Sequence, residues 1–489
     1  IKESWYEILV TTIYIINFLA IINLIFREKR SIEATVAWVL VLTTAPAIGC
    51  ILYIAVGRGI SKNNMFKIKE AEDKILKENI IDTQIKLDRN DNFEPNLIGY
   101  KDMIYALANS NNSHFTTNND VEIFPEPNDF FESLLEELKK AKHHINIQFY
   151  IFKDDEIGNK IIDILIDKAQ NGVEVRLLYD AVGSRLFSDK SIHKLKKSGV
   201  KVGAFFPSFM KVINFNLNYR NHRKIVVIDG NVGFIGGNNI GDEYLGKDPK
   251  FGYWRDTHLK ITGDSVKDLN IRFILDWRYT TKEDLVLDKY FGNETLRLSN
   301  SKACKDIGIQ IVSSGPDSTE LDEIKYGYIK MIQKAKKYIY IQTPYFILDK
   351  TLTDTLKIAC FSGVDVRIMI PSKPDHPFVY WASSSYAGEL LKYGAKLYNY
   401  DHNAFLHAKT IVVDDCVCSI GTANMDIRSF ELNFEINAFM YSSEVAKKQR
   451  AIFENDILKS KEITLDMYNS RSRYMRLKES ISRLLSPIL

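Results

Sequence analysis

The chain reads as an α/β protein: two tandem mixed-sheet domains that face each other as a pseudo-dimer, preceded by an N-terminal hydrophobic helical hairpin. Three observations lead there. First, a pattern of His, any residue, Lys, four residues and Asp occurs twice, as His222, Lys224 and Asp229 and again as His407, Lys409 and Asp414. Each copy runs on, after six residues, into Gly236, Gly237, Asn238 and Asn239 or into Gly421, Thr422, Ala423 and Asn424. Second, residues 141–148 resemble 335–342, 171–176 match 362–367, and 199–202 parallel 394–397, in the same order and at offsets between 185 and 195 residues. A repeat of that length is a duplicated domain, not a solenoid unit. Third, strong hydrophobicity is confined to the first 60 residues, in two uncharged runs at 8–26 and 34–56.

Taken in chain order, both hydrophobic runs are near the roughly 20 residues that a helix needs to cross a bilayer. Trp5, Tyr6, Trp38 and Tyr53 suit interfacial positions. A cleavable signal peptide is the competing reading of the first run, but it lacks a small-x-small cleavage site and a second run follows. The chain starts at Ile1 and not Met, so a few native residues are expected to precede it. Pro46 and Gly49 permit a kinked or re-entrant hairpin in place of two straight spans. The loop holds Arg27, Lys29 and Arg30, whereas the longer flank holds Arg58, Lys62, Lys67, Lys69, Lys74 and Lys77. The positive-inside rule then gives a multi-pass protein of the cell membrane with its large soluble part in the cytoplasm.

Beyond the membrane segment (1–60), a charged connector is expected over 61–110, the first domain over 111–290, the second over 291–465, and a basic amphipathic segment over 466–489. β-branched runs place strands at 145–152, 173–178 and 200–205, with a helix across 158–170. Strands at 339–342, 364–370 and 396–399 answer them in the second copy. Strands alternating with helices imply a mixed, largely parallel sheet. The polar stretch 281–300 separates the copies.

The motif carries chemistry. Residues two apart on a strand point the same way, so His222 and Lys224 share a face, as do His407 and Lys409. A histidine can act as nucleophile or proton donor near neutral pH. A lysine beside it supplies positive charge for a phosphoryl group, and Asn239 and Asn424 can add hydrogen bonds. Two such units brought together place two histidines and two lysines around one phosphate. A lone histidine of this kind would be read as a core residue; a duplicated set is not.

These duplicated motifs resemble the paired signature of the phospholipase D superfamily, and the two domains are then phospholipase D-like. Three stretches, 30–38 (RSIEATVAW), 45–49 (APAIG) and 52–58 (LYIAVGR), are similar to the membrane segment of bacterial cardiolipin synthases. So are 218–224 (NYRNHRK), 426–435 (DIRSFELNFE) and the ending 483–489 (RLLSPIL). The resemblance implies condensation of two phosphatidylglycerol molecules to cardiolipin and glycerol through a phosphatidyl-histidine, with no metal or other cofactor. It implies His222 as nucleophile, His407 as acid and base, and Lys224, Lys409, Asn239 and Asn424 as the phosphate cradle. It also places an acidic residue downstream of each motif to orient its histidine: Asp256 for the first copy and Glu435 for the second. Asp229 and Asp414, at strand ends, count as motif members that either join the chemistry or tie the backbone together. One departure stands out: Gly237 lies where the family often has Ser, whereas Thr422 keeps a hydroxyl.

Other signals exclude more than they assign. With 65 basic and 62 acidic residues, overall charge does not point to nucleic acid, and no basic, aromatic-interleaved track does either. The partners expected are phosphatidylglycerol and anionic membrane lipid; protein partners are not legible. Five scattered cysteines read as free thiols in a reducing compartment. Phe205, Phe206, Met210 and Phe215 admit acyl chains or pack in the core. His376, in a proline-flanked loop, is a candidate to reach the pocket. The C-terminal Arg471, Arg473, Arg476, Lys478 and Arg483 alternate with Leu477, Ile481, Leu484 and Leu485, which suits a helix on anionic lipid or one docked on its own domain. The same motifs also fit a hydrolase with water as acceptor, or a phosphatidyltransferase with another donor or acceptor. A lipid-binding scaffold has no need of two intact His/Lys pairs.

Overall fold

In the computed structural model, residues 2–26, 32–56, 98–207, 219–290, 306–316, 322–484 and 486 are described. The loop cations at 27–30, the basic flank at 58–77, the connector to 97, Met210, Phe215, Cys304 and Leu485 lie outside them.

The first apolar run is one helix, Lys2–Phe26, of which Trp5–Phe26 is long and apolar enough to cross a membrane. The second is not one helix. It breaks into Ile32–Thr44 and Pro46–Val56, each too short to span alone. Pro46 is the cause: without an N–H it cannot bond the carbonyl four residues back. That carbonyl, Leu42 O, instead accepts from Asn17 Nδ2 at 3.0 Å, and Pro46 O accepts from the same amide at 2.9 Å. Asn23 similarly donates to the Tyr53 hydroxyl at 3.1 Å. The two asparagines of the first run thus serve as inter-helix ties, which apolar surroundings require.

Each repeat forms a sheet. The first runs in the order Asn119–Phe124, His258–Gly263, Val232–Gly236, Ile225–Ile228, His144–Phe149, Glu174–Asp180, Lys201–Phe205. Only its last two neighbouring pairs are parallel; the other four are antiparallel. The second follows the same plan from Asn433–Tyr441 through Val417–Gly421, Thr410–Val413, Tyr338–Gln342 and Asp365–Ile370 to Lys396–Asn399. The sheets are mixed as expected, but mainly antiparallel. The strand-helix-strand crossovers fill one half of each, and hairpins after the motif fill the other, where tight turns favour antiparallel pairing.

Residues 98–116, assigned from sequence to the connector and the first domain, pack on the second. Helix Lys101–Asn111 buries Met103, Ile104 and Leu107 in that core, and Phe115–Thr116 pairs with Gly308–Ser314.

Both motif strands are buried on both faces, and their alternation explains how. Ile225 and Val227 face the joint between the domains, while Val226 and Ile228 face the outer helices Pro127–Lys140 and Glu156–Gln170. Val412 likewise faces the joint, with Ile411 and Val413 on the outer side. The joint is a shared apolar core that includes Leu259 and Ile261 from the first sheet and Ile309, Ile420, Ile436 and Ala438 from the second. The expected pseudo-dimer is therefore held by burial, the dominant stabilising term in such contacts. Among the described residues, Cys50, Cys360, Cys416 and Cys418 form no disulfide. Phe205 and Phe206 pack in a core cluster.

Candidate active site

At one end of the joint the two domains exchange short strands. Arg220–Asn221, just before His222, pairs with Asn433–Phe434 of the second domain. Ala404–Leu406, just before His407, pairs with Tyr253–Arg255 of the first. Backbone bonds complete the exchange: His222 N donates to Phe434 O at 2.9 Å, and His407 N to Arg255 O at 2.7 Å.

This register decides which carboxylate meets which histidine. The residue after Phe434 is Glu435, and its oxygens lie 3.0 and 2.9 Å from His222 Nδ1. The residue after Arg255 is Asp256, whose Oδ2 lies 2.6 Å from His407 Nδ1. The sequence identified both acids but assigned each to the histidine of its own copy. The structure crosses them. Spacing within one copy carries no information about a strand exchanged between copies.

Both acids are fully buried. Burial pushes Asp256 up, but Lys409 and His407 outweigh it and hold the carboxyl below its usual range. Glu435 is held low in the same way by His222 and Lys224. Each histidine is pushed down to about 4, foremost by burial, with Lys224 beside His222 and Lys409 beside His407 adding to the shift. Both rings are therefore neutral near pH 7. Nδ1–H donates to an ionised carboxylate, which leaves Nε2 with a free lone pair. Burial likewise pushes Lys224 down to about 7 and Lys409 to about 8. Lys224 Nζ donates to His222 O at 2.7 Å, and Lys409 Nζ donates to His407 O. Burial thus favours the neutral form of all four groups, and an anion beside any one of them acts in the opposite sense.

His222, His407, Asn239 and Asn424 line one pocket of about 670 Å³, a size suited to a small ligand or headgroup. His376 reaches it, as does a set of residues that sequence reasoning missed: Tyr150, Trp254, Arg220 and Arg428. The Tyr150 ring stands edge-on to His222 at 4.9 Å, and Trp254 lies 5.1 Å from His407. None of these belongs to the repeated motif, so no spacing signal marked them. Asn239 Oδ1 accepts from Ile151 N at 3.0 Å and its Nδ2 donates to the Tyr244 hydroxyl at 3.3 Å, which fixes the side chain and leaves one amide N–H to donate.

The Gly237/Thr422 asymmetry has a steric cause. Thr422 Oγ1 donates to Glu435 Oε2 at 2.6 Å. A Cβ on Gly237 would lie 1.9 Å from Asp256 Oδ1. Glycine leaves that space to the carboxylate, which takes its extra bond from Thr257 N at 2.7 Å.

Asp229 and Asp414 do not line the pocket; they sit at the far ends of the motif strands. Asp229 accepts from the backbone N–H groups of Lys142, His143 and His144 at 2.8–2.9 Å. Asp414 accepts from Lys336, Lys337 and Tyr338 at 2.6, 2.9 and 2.8 Å. Of the two roles the sequence left open, the geometry supports the backbone tie.

The profile of a family described as "Cardiolipin synthase, PLD-like domain" matches residues 134–249 and 328–457, and that of "Phospholipase_D-nuclease N-terminal" matches 15–58. The chain is 48% identical over 487 residues to the major cardiolipin synthase ClsA of Bacillus subtilis, covering 99% of each. It is 47% identical to a cardiolipin synthase of Oceanobacillus iheyensis, covering 97% of this chain and 98% of that one. Among solved structures, phosphatidylserine synthase of Haemophilus influenzae shares the fold, with a TM-score of 0.60 at 17% identity over 78% of this chain and 99% of that one. With both repeats matched by the family profile and a full-length relative near half identity, the chain belongs to the cardiolipin synthase family of the phospholipase D superfamily.

Proposed function

We propose that this chain condenses two phosphatidylglycerol molecules to cardiolipin and glycerol. The observation that carries the reading is one pocket lined by two histidines, each held by a buried carboxylate, with a buried lysine behind each of them bonded to the histidine's carbonyl. The donor's anionic phosphodiester enters between them. Its charge favours the cationic forms of Lys224, Lys409 and His407. His222 Nε2 attacks phosphorus, the bond to the terminal glycerol oxygen breaks, and His407 gives that oxygen its proton. The phosphatidyl group now sits on His222. His407, neutral again, takes a proton from the headgroup hydroxyl of a second phosphatidylglycerol. That oxygen attacks phosphorus and releases His222. The lysines and the amides of Asn239 and Asn424 hold the non-bridging oxygens.

The helix Trp5–Phe26 crosses the membrane in this reading, and the broken pair Ile32–Thr44 and Pro46–Val56 returns the chain to its starting side. The catalytic domains are cytoplasmic, as the cations at 58–77 favour.

The test is incubation of the full chain with labelled phosphatidylglycerol in liposomes. Cardiolipin with an equal amount of glycerol is expected; phosphatidic acid alone would make the enzyme a hydrolase. For the roles, His407→Ala should trap a phosphatidyl adduct and His222→Ala should not, with turnover lowered about 10³-fold or more in both. The reverse trapping pattern would exchange the two roles.

A further inference from the structure

Helix Arg473–Leu484 is inside out for a helix docked on a soluble domain. It packs against helix Pro377–Leu390. The side chains it buries are polar: Glu479 is 4% exposed and Ser482 0%. Glu479, its single acid, turns inward and accepts from Arg471 Nε and Nη2 at 3.1 and 2.9 Å. Met475 turns inward and is half-buried, but the other four apolar residues form one outward stripe: Tyr474, Leu477, Ile481 and Leu484 are 66, 56, 45 and 78% exposed. Arg473 and Arg476 are exposed on the same helix, so its outward charge is positive. An apolar ridge flanked by arginines and free of outward carboxylates matches the interface of an anionic bilayer, where apolar burial and attraction to headgroups act together.

The position of this helix gives the match a purpose. Lys478 Nζ lies 4.3 Å from the centre of the Tyr474 ring and 4.6 Å from that of Trp381. Trp381 stands edge-on to Phe378 at 5.6 Å, and Phe378 is itself exposed. Its neighbour His376 and the next residue, Val379, line the catalytic pocket. The stripe therefore continues along Pro377–Leu390 to the pocket mouth.

We propose that helix Arg473–Leu484 docks on the surface of an anionic bilayer and presents the pocket mouth to the headgroups. The docking is independent of the transmembrane helix and of the reaction in the pocket. It is tested in the full chain carrying Ile481→p-benzoylphenylalanine, reconstituted into phosphatidylglycerol-containing bilayers and irradiated. The expected product is a lipid adduct at 481, reduced at least about threefold in pure phosphatidylcholine bilayers or by Arg473→Ser with Arg476→Ser. A crosslink to a second copy, or no lipid adduct, would overturn the proposal. Separately, Leu477→Glu with Ile481→Glu should slow turnover of bilayer phosphatidylglycerol about tenfold and keep turnover of dispersed dihexanoyl-phosphatidylglycerol within about twofold. Equal losses on both substrates, or none on either, would count against it. The adduct is read without turnover, so it stands or falls apart from the proposed reaction.

Discussion

Lys224 and Lys409 make the clearest prediction about single residues. Burial lowers them to about 7 and 8, so raising pH through that range removes their charge from the free enzyme. An anionic substrate then loses its counter-charge, and kcat/KM should fall across pH 7–8. The histidines titrate at about 4, so their protonation adds no inflection between pH 7 and 8, and a bend in the profile there belongs to the lysines. Lys224→Arg keeps its charge well beyond this range, so it should shift the alkaline limb upward, at reduced activity. A kcat/KM profile unchanged in shape would remove Lys224 from the binding of the anion. Motif spacing identified these lysines, yet their depressed pKa values come from burial that no local pattern encodes.

The motif strand and its hairpin turn explain the two aspartates. Asp229 and Gly230 have φ of 55° and 67°, and Asp414 and Asp415 have 54° and 56°. Two successive left-handed residues match the turn that joins twisted antiparallel strands without splaying them. Aspartate tolerates that backbone, and its carboxylate gathers three N–H groups from the start of the neighbouring strand. Asp229→Ala should therefore destabilise the first domain by about 2–4 kcal/mol while turnover per folded molecule stays within a few-fold of the native rate. Denaturant unfolding read alongside active-site titration separates the two effects. A thousandfold loss of turnover in a stably folded variant would return Asp229 to the chemistry. The run of β-branched residues made this strand legible in sequence. The broken second helix of the membrane segment was legible only as an option, because Pro46 forces the break whereas Asn17, far away in sequence, makes it tolerable.

The two domains are locked by a buried ion pair and by buried arginine–carbonyl hydrogen bonds as well as by their apolar joint. Arg255 of the first domain pairs with Asp456 of the second at 2.8 Å, and Gln342 donates to the same carboxylate at 2.8 Å. Arg223 pairs with Asp276 at 2.7 Å and donates to Glu435 O and Ser314 O across the joint. Arg255 also presents the carbonyl that holds His407 N, so its pair anchors the second half-site. Asp456→Ala should cost about 3–5 kcal/mol by leaving a buried guanidinium unpaired, whereas Arg255→Met with Asp456→Leu should recover much of that loss. A single variant as stable as the native chain in thermal unfolding would show that the pair does not anchor the joint. The duplicated α/β plan and the strands around the motifs were legible in the amino-acid sequence alone, as were the two His/Lys pairs and both acids that hydrogen-bond the motif histidines. Each is written in local composition or in a repeated spacing. Tertiary structure decided which acid serves which histidine, the mainly antiparallel sheets, and the attachment of residues 98–116 to the second domain. The antiparallel pairs follow from hairpins within each half, whereas the crossed acids and the placement of residues 98–116 depend on segments that pass between halves, whose pairing is set by burial and register at the joint and not by the residues on either side of a motif.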